Sequence, residues 1–297
     1  MSAEASAGSR SGPPLPNPGV SLGRDVVRRI ERFVLQTAAL RERREGQGRA
    51  DLDGGGSAFV GHRPYRAGEE VRHLDWDLLA RLDQPFVRVL QREGQERWAI
   101  LLDTSASMGV GEPGKLQAAA ELAAALTLSG VRAGARVELL ARGQRLVVRR
   151  SVDLARLMPF LESLVAQGTE GLASALQRGD VPNDAGRVVL LGDLLDTSPA
   201  HMRNVFRPGR DLWAVQLLAP IELAPKPGQT VRWLDPESEH VHEVQVDAAA
   251  VARYERRLET SLEVWQRAAV RHRFRWSMHS SATPFEETAR TLVLGGG

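Results

Sequence analysis

Two short, uninterrupted apolar runs in the middle of the chain constrain its fold more than any other feature. Residues 98–102 and 188–191 contain no polar side chain, and each run is followed within two residues by an aspartate, Asp103 or Asp193. Apolar runs of this length, bounded by polar loops, are typical of β-strands that are buried on both faces of a parallel sheet. The sequence therefore predicts a parallel sheet with carboxylates at the carboxyl ends of two strands.

Helical and extended patterns alternate around these two runs. Predicted helices cover 25–40, 115–129, 154–164, 172–177, 199–206 and 251–269, with a short one after Pro284, and Ser21, Asp153 and Asp247 are the predicted N-caps of three of them. Further predicted strands cover 85–90, 137–141, 146–150, 212–218 and 272–278, with a hairpin at 230–235 and 240–246. This alternation predicts an α/β fold, doubly wound, with a mainly parallel sheet covered by helices on both faces.

The chain is predicted to have three parts. Residues 1–20 are small, polar and proline-rich and are expected to form a disordered tail. Residues 21–97 are expected to form an N-terminal helix and a β extension, interrupted by the glycine-rich stretch 53–56. Residues 98–297 are expected to form the α/β domain, with the hairpin near 230–246 as an insertion.

Oxygen-bearing side chains follow the two apolar runs, and another lies in a loop between the runs. Asp103, Ser105 and Ser107 alternate along one segment, so their side chains point the same way if the segment is extended. Thr169 lies in a glycine-flanked loop, and Asp193 ends the second run. Ligands of open α/β sheets bind at the carboxyl ends of the strands, where the strand order reverses. An all-oxygen donor set there predicts a hard cation, Mg²⁺ by preference, with Mn²⁺ or Ca²⁺ possible.

The same five residues, in the same order, resemble the metal-ion-dependent adhesion site of von Willebrand factor A domains. The resemblance covers about residues 98–218. It implies a Rossmann-like fold in which Ser105, Ser107 and Thr169 contact the ion, whereas Asp103 and Asp193 act largely through water. It also implies an open coordination position that an acidic side chain of a partner protein fills.

A segment before this region is similar to the signature of the bacterial domain-of-unknown-function family fifty-eight. The matching residues are Arg63, Tyr65, Gly68, Arg72, Asp75, Trp76 and Arg81. Glu69 and Glu70 stand where that family usually has two aspartates. The resemblance implies a MoxR-type AAA+ ATPase as partner. The signature is either a docking surface or a structural element, and we favour a buried Trp76 anchored by Arg–Asp pairing.

Several other functions are disfavoured by the sequence. Residues 109–116 match a phosphate-binding loop except at the last position, where Leu116 replaces the Ser or Thr that holds Mg²⁺, and Pro113 removes a backbone donor. The absence of cysteine excludes thiolate sites and disulfides. No basic run is interleaved with aromatic residues, so no nucleic-acid partner is expected. No apolar run is long enough to span a membrane, and a cytoplasmic location is expected.

The expected function is a metal-dependent adaptor or co-chaperone that works with a MoxR-type AAA+ ATPase. No catalytic set is visible, so an enzyme is not expected. A metal-assisted hydrolase remains an alternative, with Glu170 or Asp196 as the only candidate bases. A structural scaffold, in which the ion merely ties three loops together, is the other alternative.

Overall fold

The computed structural model describes residues 19–48, 57–65, 75–82, 84–92, 96–228, 230–234 and 241–294. Two compact units are present: one contains the chain up to Ala38 and from Arg97 onward, and the other spans Ala39–Glu96. Most of the predicted tail, the glycine-rich stretch at 53–56, Gly68 and Arg72 lie outside the described residues, as does most of the link between the strands of the predicted hairpin.

Eight α-helices lie in the described part of the chain. They are α1 (Arg24–Gly48), α2 (Trp76–Leu82), α3 (Lys115–Arg132), α4 (Leu157–Glu162), α5 (Leu172–Arg178), α6 (Pro220–Leu223), α7 (Ala248–His272) and α8 (Phe285–Leu294). Short 3₁₀ turns cover Ala106–Gly109, Ser151–Arg156 and Pro199–Asn204. Among these described helices, none combines the length and the apolar character needed to cross a membrane.

Ten strands form three sheets in the described residues. They are β1 (Ser57–Pro64), β2 (Phe86–Arg92), β3 (Arg97–Leu102), β4 (Arg136–Ala141), β5 (Gln144–Val148), β6 (Arg187–Gly192), β7 (Asp211–Leu218), β8 (Thr230–Leu234), β9 (Val241–Gln245) and β10 (Arg275–Ser280). β1 pairs with β2, and β8 pairs with β9, both antiparallel. The central sheet has the order β10-β7-β6-β3-β4-β5.

The central sheet reverses its strand order at β3. All its neighbouring strands are parallel except β4 and β5, which form an antiparallel hairpin. From β3 the chain adds β4 and β5 on one side and then crosses to place β6 on the other. The carboxyl ends of β3 and β6 therefore flank a switch point, which is where open α/β sheets bind ligands.

Helices cover both faces of this sheet, because the side chains of its inner strands are buried on both. Ile100 and Val189 belong to the apolar cluster that includes α1, α3, α4 and α8. Ala99 and Leu190 belong to a second cluster, which contains residues of α5 and α7. The predicted α/β class, with a mainly parallel sheet covered on both faces, is confirmed, and it is consistent with a Rossmann-like fold of the von Willebrand factor A type.

Several predicted element ends are displaced by local contacts. Ser21 does not cap α1, because the helix starts at Arg24 and the residue before it is Gly23, whose carbonyl accepts the Val27 amide at 3.1 Å. The Ser21 amide instead donates to the Gln117 side chain at 2.9 Å. The last strand starts at Arg275 rather than 272, because α7 continues to His272. Asp247 does cap α7 as predicted, with its carboxylate 2.6 Å from the amide of Ala250.

Two other predicted helices are shorter or of another type. The segment predicted as a helix over 154–164 consists of a 3₁₀ turn followed by α4, and the segment over 199–206 is a 3₁₀ turn. Asp153 binds the amides of Arg149 and Arg150, which precede it, rather than capping a regular α-helix.

The second unit carries the part of the family signature that the structure describes. Arg63 lies in β1, and the Tyr65 amide donates to Pro85 at 2.8 Å. Asp75 is buried, and its carboxylate accepts a hydrogen bond from the Leu78 amide at 3.1 Å, near the start of α2.

The predicted burial of Trp76 is wrong. Trp76 is 61% exposed, and Arg81, at the end of the same short helix, is also exposed. The buried member of the signature is the preceding residue, Asp75, whose bond to the Leu78 amide holds the first turn of α2. The indole at the first position of that turn faces solvent.

Substitution of two tryptophans tests this difference in burial. Trp76→Ala should change the free energy of unfolding by less than about 0.5 kcal/mol, because little apolar surface is lost from the interior. Trp265→Ala should lower it by about 3–5 kcal/mol, because Trp265 is only 1% exposed and packs edge-on against Phe274. Denaturant titration of both variants measures the effects, and an equal loss in the two variants would contradict the exposed position of Trp76.

Candidate metal centre

Three loops meet at the carboxyl ends of β3 and β6. The Asp103 amide donates to Leu191 at 2.8 Å, which extends the pairing of the two strands to the first residue of the loop. The loop before α5 is joined to the loop after β3 by two backbone hydrogen bonds, Gln167 to Thr104 at 3.0 Å and Ala106 to Gly168 at 2.9 Å. The switch point is therefore lined by three segments fixed to one another by their backbones.

Asp103 is the most buried acid of the loop after β3. The residue is 1% exposed, and its Oδ1 accepts a hydrogen bond from the Ser105 amide at 2.8 Å. Its Oδ2 is buried and has no hydrogen-bond partner in the described part of the chain. Ser105 Oγ and Ser107 Oγ lie 3.1 Å apart, so the two hydroxyls converge as their alternate spacing predicts. A buried carboxylate oxygen without a partner is costly unless a cation compensates it.

Asp193 and Asp196, from the loop after β6, complete a cluster of three carboxylates with Asp103. One carboxylate oxygen from each lies within 4.8 Å of the others. Asp196 is exposed, yet it belongs to this cluster, which the sequence did not indicate. Three acids this close repel one another, and a bound cation would remove that repulsion.

Two glycines allow the loops to approach this closely. A Cβ at Gly192 would lie 2.7 Å from the Asp103 Cβ and 2.8 Å from Leu172 Cδ1. A Cβ at Gly171 would collide with the Asp196 carboxylate. Any larger residue at either position would force an aspartate of the cluster out of place.

Burial and neighbouring charge make the ionised form of Asp103 unfavourable. Desolvation is the main cause that raises the pKa of this carboxyl from 3.8 to about 6. The hydrogen bond from the Ser105 amide lowers the pKa, and the negative charges of Asp193 and Asp196 raise it. At neutral pH the carboxylate is charged, buried and not fully compensated by the protein.

Asp193 differs from Asp103 because both of its oxygens have partners. Its Oδ1 accepts a hydrogen bond from the Leu195 amide at 3.1 Å, and its Oδ2 lies 2.9 Å from the Nζ of Lys115. The same Nζ is 2.7 Å from Oε1 of Glu222, in α6. Lys115 is fully buried and engaged by carboxylates, which agrees with the exclusion of a phosphate-binding loop. Sequence reasoning missed the roles of Lys115 and Glu222.

The remaining predicted residues of the site lie at its edge. Thr169 is exposed and follows Gly168, whose carbonyl accepts a hydrogen bond from the Ala106 amide. The Glu170 side chain is 68% exposed and lies 3.6 Å from Arg178. Of the two candidate bases, only Asp196 belongs to the carboxylate cluster.

Comparison with known proteins identifies a family and two structures. The family model described as "Protein of unknown function DUF58" matches residues 61–263. No curated protein matches the chain. The chain is similar to the conserved hypothetical protein BatB from Bacteroides thetaiotaomicron, at 15% identity and a TM-score of 0.42, over 68% of this chain and 100% of that one. It is also similar to an aerotolerance-related membrane protein from Bacteroides fragilis, at 17% identity and a TM-score of 0.41, over 67% and 99%.

Replacement of Asp103 by asparagine should stabilise the metal-free protein at neutral pH. The carboxyl binds its proton more tightly when folded, so between pH 3.8 and about 6 the wild type loses stability as the pH rises. Asp103→Asn removes this loss, and its advantage in EDTA should grow from near zero at pH 3.5 to roughly 1–3 kcal/mol at pH 7.5. Urea titrations at both pH values measure this advantage. A difference that does not depend on pH would contradict the assignment of the buried charge to Asp103.

Proposed function

We propose that this chain, which belongs to the DUF58 family of proteins of unknown function, is a protein-interaction module whose contacts depend on a divalent cation, Mg²⁺ by preference. The observation that carries the proposal is the buried carboxylate of Asp103, whose Oδ2 has no partner among the described residues and which belongs to a cluster of three aspartates. A second carboxylate oxygen from Asp193 or Asp196 adds to the negative charge around it. A cation at this position is the simplest compensation for that charge.

The donors fit a hard cation. Carboxylates of Asp103, Asp193 and Asp196 and hydroxyls of Ser105, Ser107 and Thr169 are the candidate ligands, either directly or through water. Because Asp193 is already bound to Lys115, Asp103 and the two serines are the stronger candidates for direct contact with the ion. The bound ion would supply positive charge and a coordination position that a partner's carboxylate can enter. Mn²⁺ and Ca²⁺ suit the same donors.

An apolar rim around the cluster favours a protein partner over a small polar ligand. Val110, Leu195 and Ile221 are 42%, 48% and 43% exposed and follow β3, β6 and β7. The Val110 amide donates to Ser107 at 3.1 Å, and the Leu195 amide binds Asp193. Ile221 precedes Glu222, the second partner of Lys115. Exposed apolar side chains beside a polar centre are typical of protein interfaces.

The partner that we propose is a MoxR-type AAA+ ATPase, with the chain acting as its adaptor for client proteins. The support is the resemblance of Arg63, Tyr65, Asp75, Trp76 and Arg81 to the family signature. The exposure of Trp76 favours the docking interpretation of that signature over the structural one.

A metal-assisted hydrolase is the second candidate, because Asp196 is both exposed and within the carboxylate cluster. In such an enzyme Asp196 would accept a proton from water. Turnover of phosphoester or peptide substrates that is lost in Asp196→Asn would favour this candidate over the adaptor.

Isothermal titration with Mg²⁺ tests the cation site. Wild type should bind one Mg²⁺, Asp103→Ala should abolish binding, and Thr169→Ala should weaken it, because each substitution removes an oxygen donor. Glu170→Ala is a matched control, because it removes a nearby exposed acid outside the cluster and should leave the affinity unchanged. Equal affinity in wild type and Asp103→Ala would contradict the site.

Binding to a purified MoxR-type ATPase tests the apolar rim and the role of the ion. Binding should be stronger in Mg²⁺ than in EDTA at matched ionic strength, because partner and metal affinities are linked. A variant with Val110, Leu195 and Ile221 changed to serine should bind Mg²⁺ normally but lose the partner. Serine at Val152, Val264 and Val270, which are exposed elsewhere, is the matched control. Equal partner binding in Mg²⁺, in EDTA and with Thr169→Ala would mean that the ion is only structural.

A further inference from the structure

Lys115 is a lysine without access to solvent. The residue is 0% exposed and is the first residue of α3, where the positive end of the helix dipole disfavours a cation. Its position is therefore explained by its two carboxylate partners, Asp193 at 2.9 Å and Glu222 at 2.7 Å. A buried ammonium is tolerated only when it is paired in this way.

The Lys115 ammonium and the proposed ion would both interact with the same cluster of carboxylates. Asp193 is bound to Lys115 and has a carboxylate oxygen within 4.8 Å of one from Asp103 and one from Asp196. Its other oxygen accepts a hydrogen bond from the Leu195 amide, so both oxygens of Asp193 already have a partner. Asp103, in contrast, has an oxygen with no hydrogen-bond partner in the ranges that the structure describes.

We propose that Lys115 is a built-in counter-cation of the metal centre, an inference that rests on the proposed cation site. Lys115 neutralises Asp193 permanently, so the fold survives without the divalent ion. It also repels that ion across a water-poor cluster, and this repulsion lowers the affinity for it. Lys115 is thus a positioning residue that makes metal binding reversible. Reversible metal binding suits a protein–protein contact that must be released.

The counter-cation also connects the centre to the segment after β7. Glu222 binds Lys115 through Oε1 and accepts the Ala219 amide through Oε2 at 2.7 Å. The start of α6 is therefore held by the same ammonium that fixes Asp193. Ile221, a member of the apolar rim, is the sequence neighbour of Glu222 within this short helix.

Substitution of Lys115 by methionine tests the inference, because methionine keeps the apolar stem and removes the charge. In EDTA, Lys115→Met should lower the melting temperature by roughly 5 °C or more, because Asp193 and Glu222 lose their counter-charge. Its Mg²⁺ affinity should rise by roughly tenfold or more, because the repulsion is gone. Lys226→Met is the matched control: it removes the only other lysine, which is exposed, and should change neither quantity.

A measurement on the wild type does not depend on the variant's folding. Protein labelled with ¹⁵N and ¹³C at lysine carries only two labelled side chains. The signal of the Lys115 side chain should move on addition of Mg²⁺, whereas that of Lys226 stays in place. Wild type could bind Mg²⁺ through Asp103 while the Lys115 signal stays fixed, or while Lys115→Met binds Mg²⁺ no more tightly. Either result would overturn the proposed role of Lys115 and leave the proposed metal site in place. If wild type does not bind Mg²⁺, both proposals are overturned.

Discussion

The structure depends on the burial of negative charge at the ends of two strands. β3 and β6 are covered on both faces, so the residues that follow them, Asp103 and Asp193, begin their loops inside the protein rather than in water. A buried carboxylate must be compensated, and the two are compensated differently. Lys115 forms a buried ion pair with Asp193, whereas Asp103 has an oxygen without a partner among the residues described. This asymmetry is the basis of the proposed function.

Much of the fold follows from local patterns that long-range contacts do not override. The apolar runs of β3 and β6 are typical of strands buried on both faces, so the mainly parallel sheet was predictable. The absence of a cap at Ser21 and the exposure of Trp76 were not. Ser21 has the chemistry of an N-cap but is held by Gln117, 96 residues away, and Asp75 rather than Trp76 is the buried residue at the start of α2. Neither contact leaves a periodic signal in the sequence.

The candidate site likewise contains residues that could be predicted from the sequence and residues that could not. Asp103, Ser105 and Ser107 are close in sequence, and the structure brings their polar atoms together as their spacing predicts. Lys115 and Glu222 are separated by 107 residues, so their pairing could not be derived from spacing. One signal was present: only two of the 39 basic residues are lysines, and Lys115 starts an alanine- and leucine-rich helix. A cation at the start of an apolar helix indicates a buried partner.

We propose that the oxygen atoms around Asp103 hold a divalent cation. Crystals grown with Mn²⁺ can test this proposal, because the anomalous scattering of manganese locates the ion without assumptions about its ligands. One strong anomalous peak is expected beside the carboxylate of Asp103 and the hydroxyls of Ser105 and Ser107, and no such peak is expected in Asp103→Ala crystals. If the peak persists in Asp103→Ala, or if wild-type crystals hold manganese elsewhere or nowhere, the cation does not bind at Asp103.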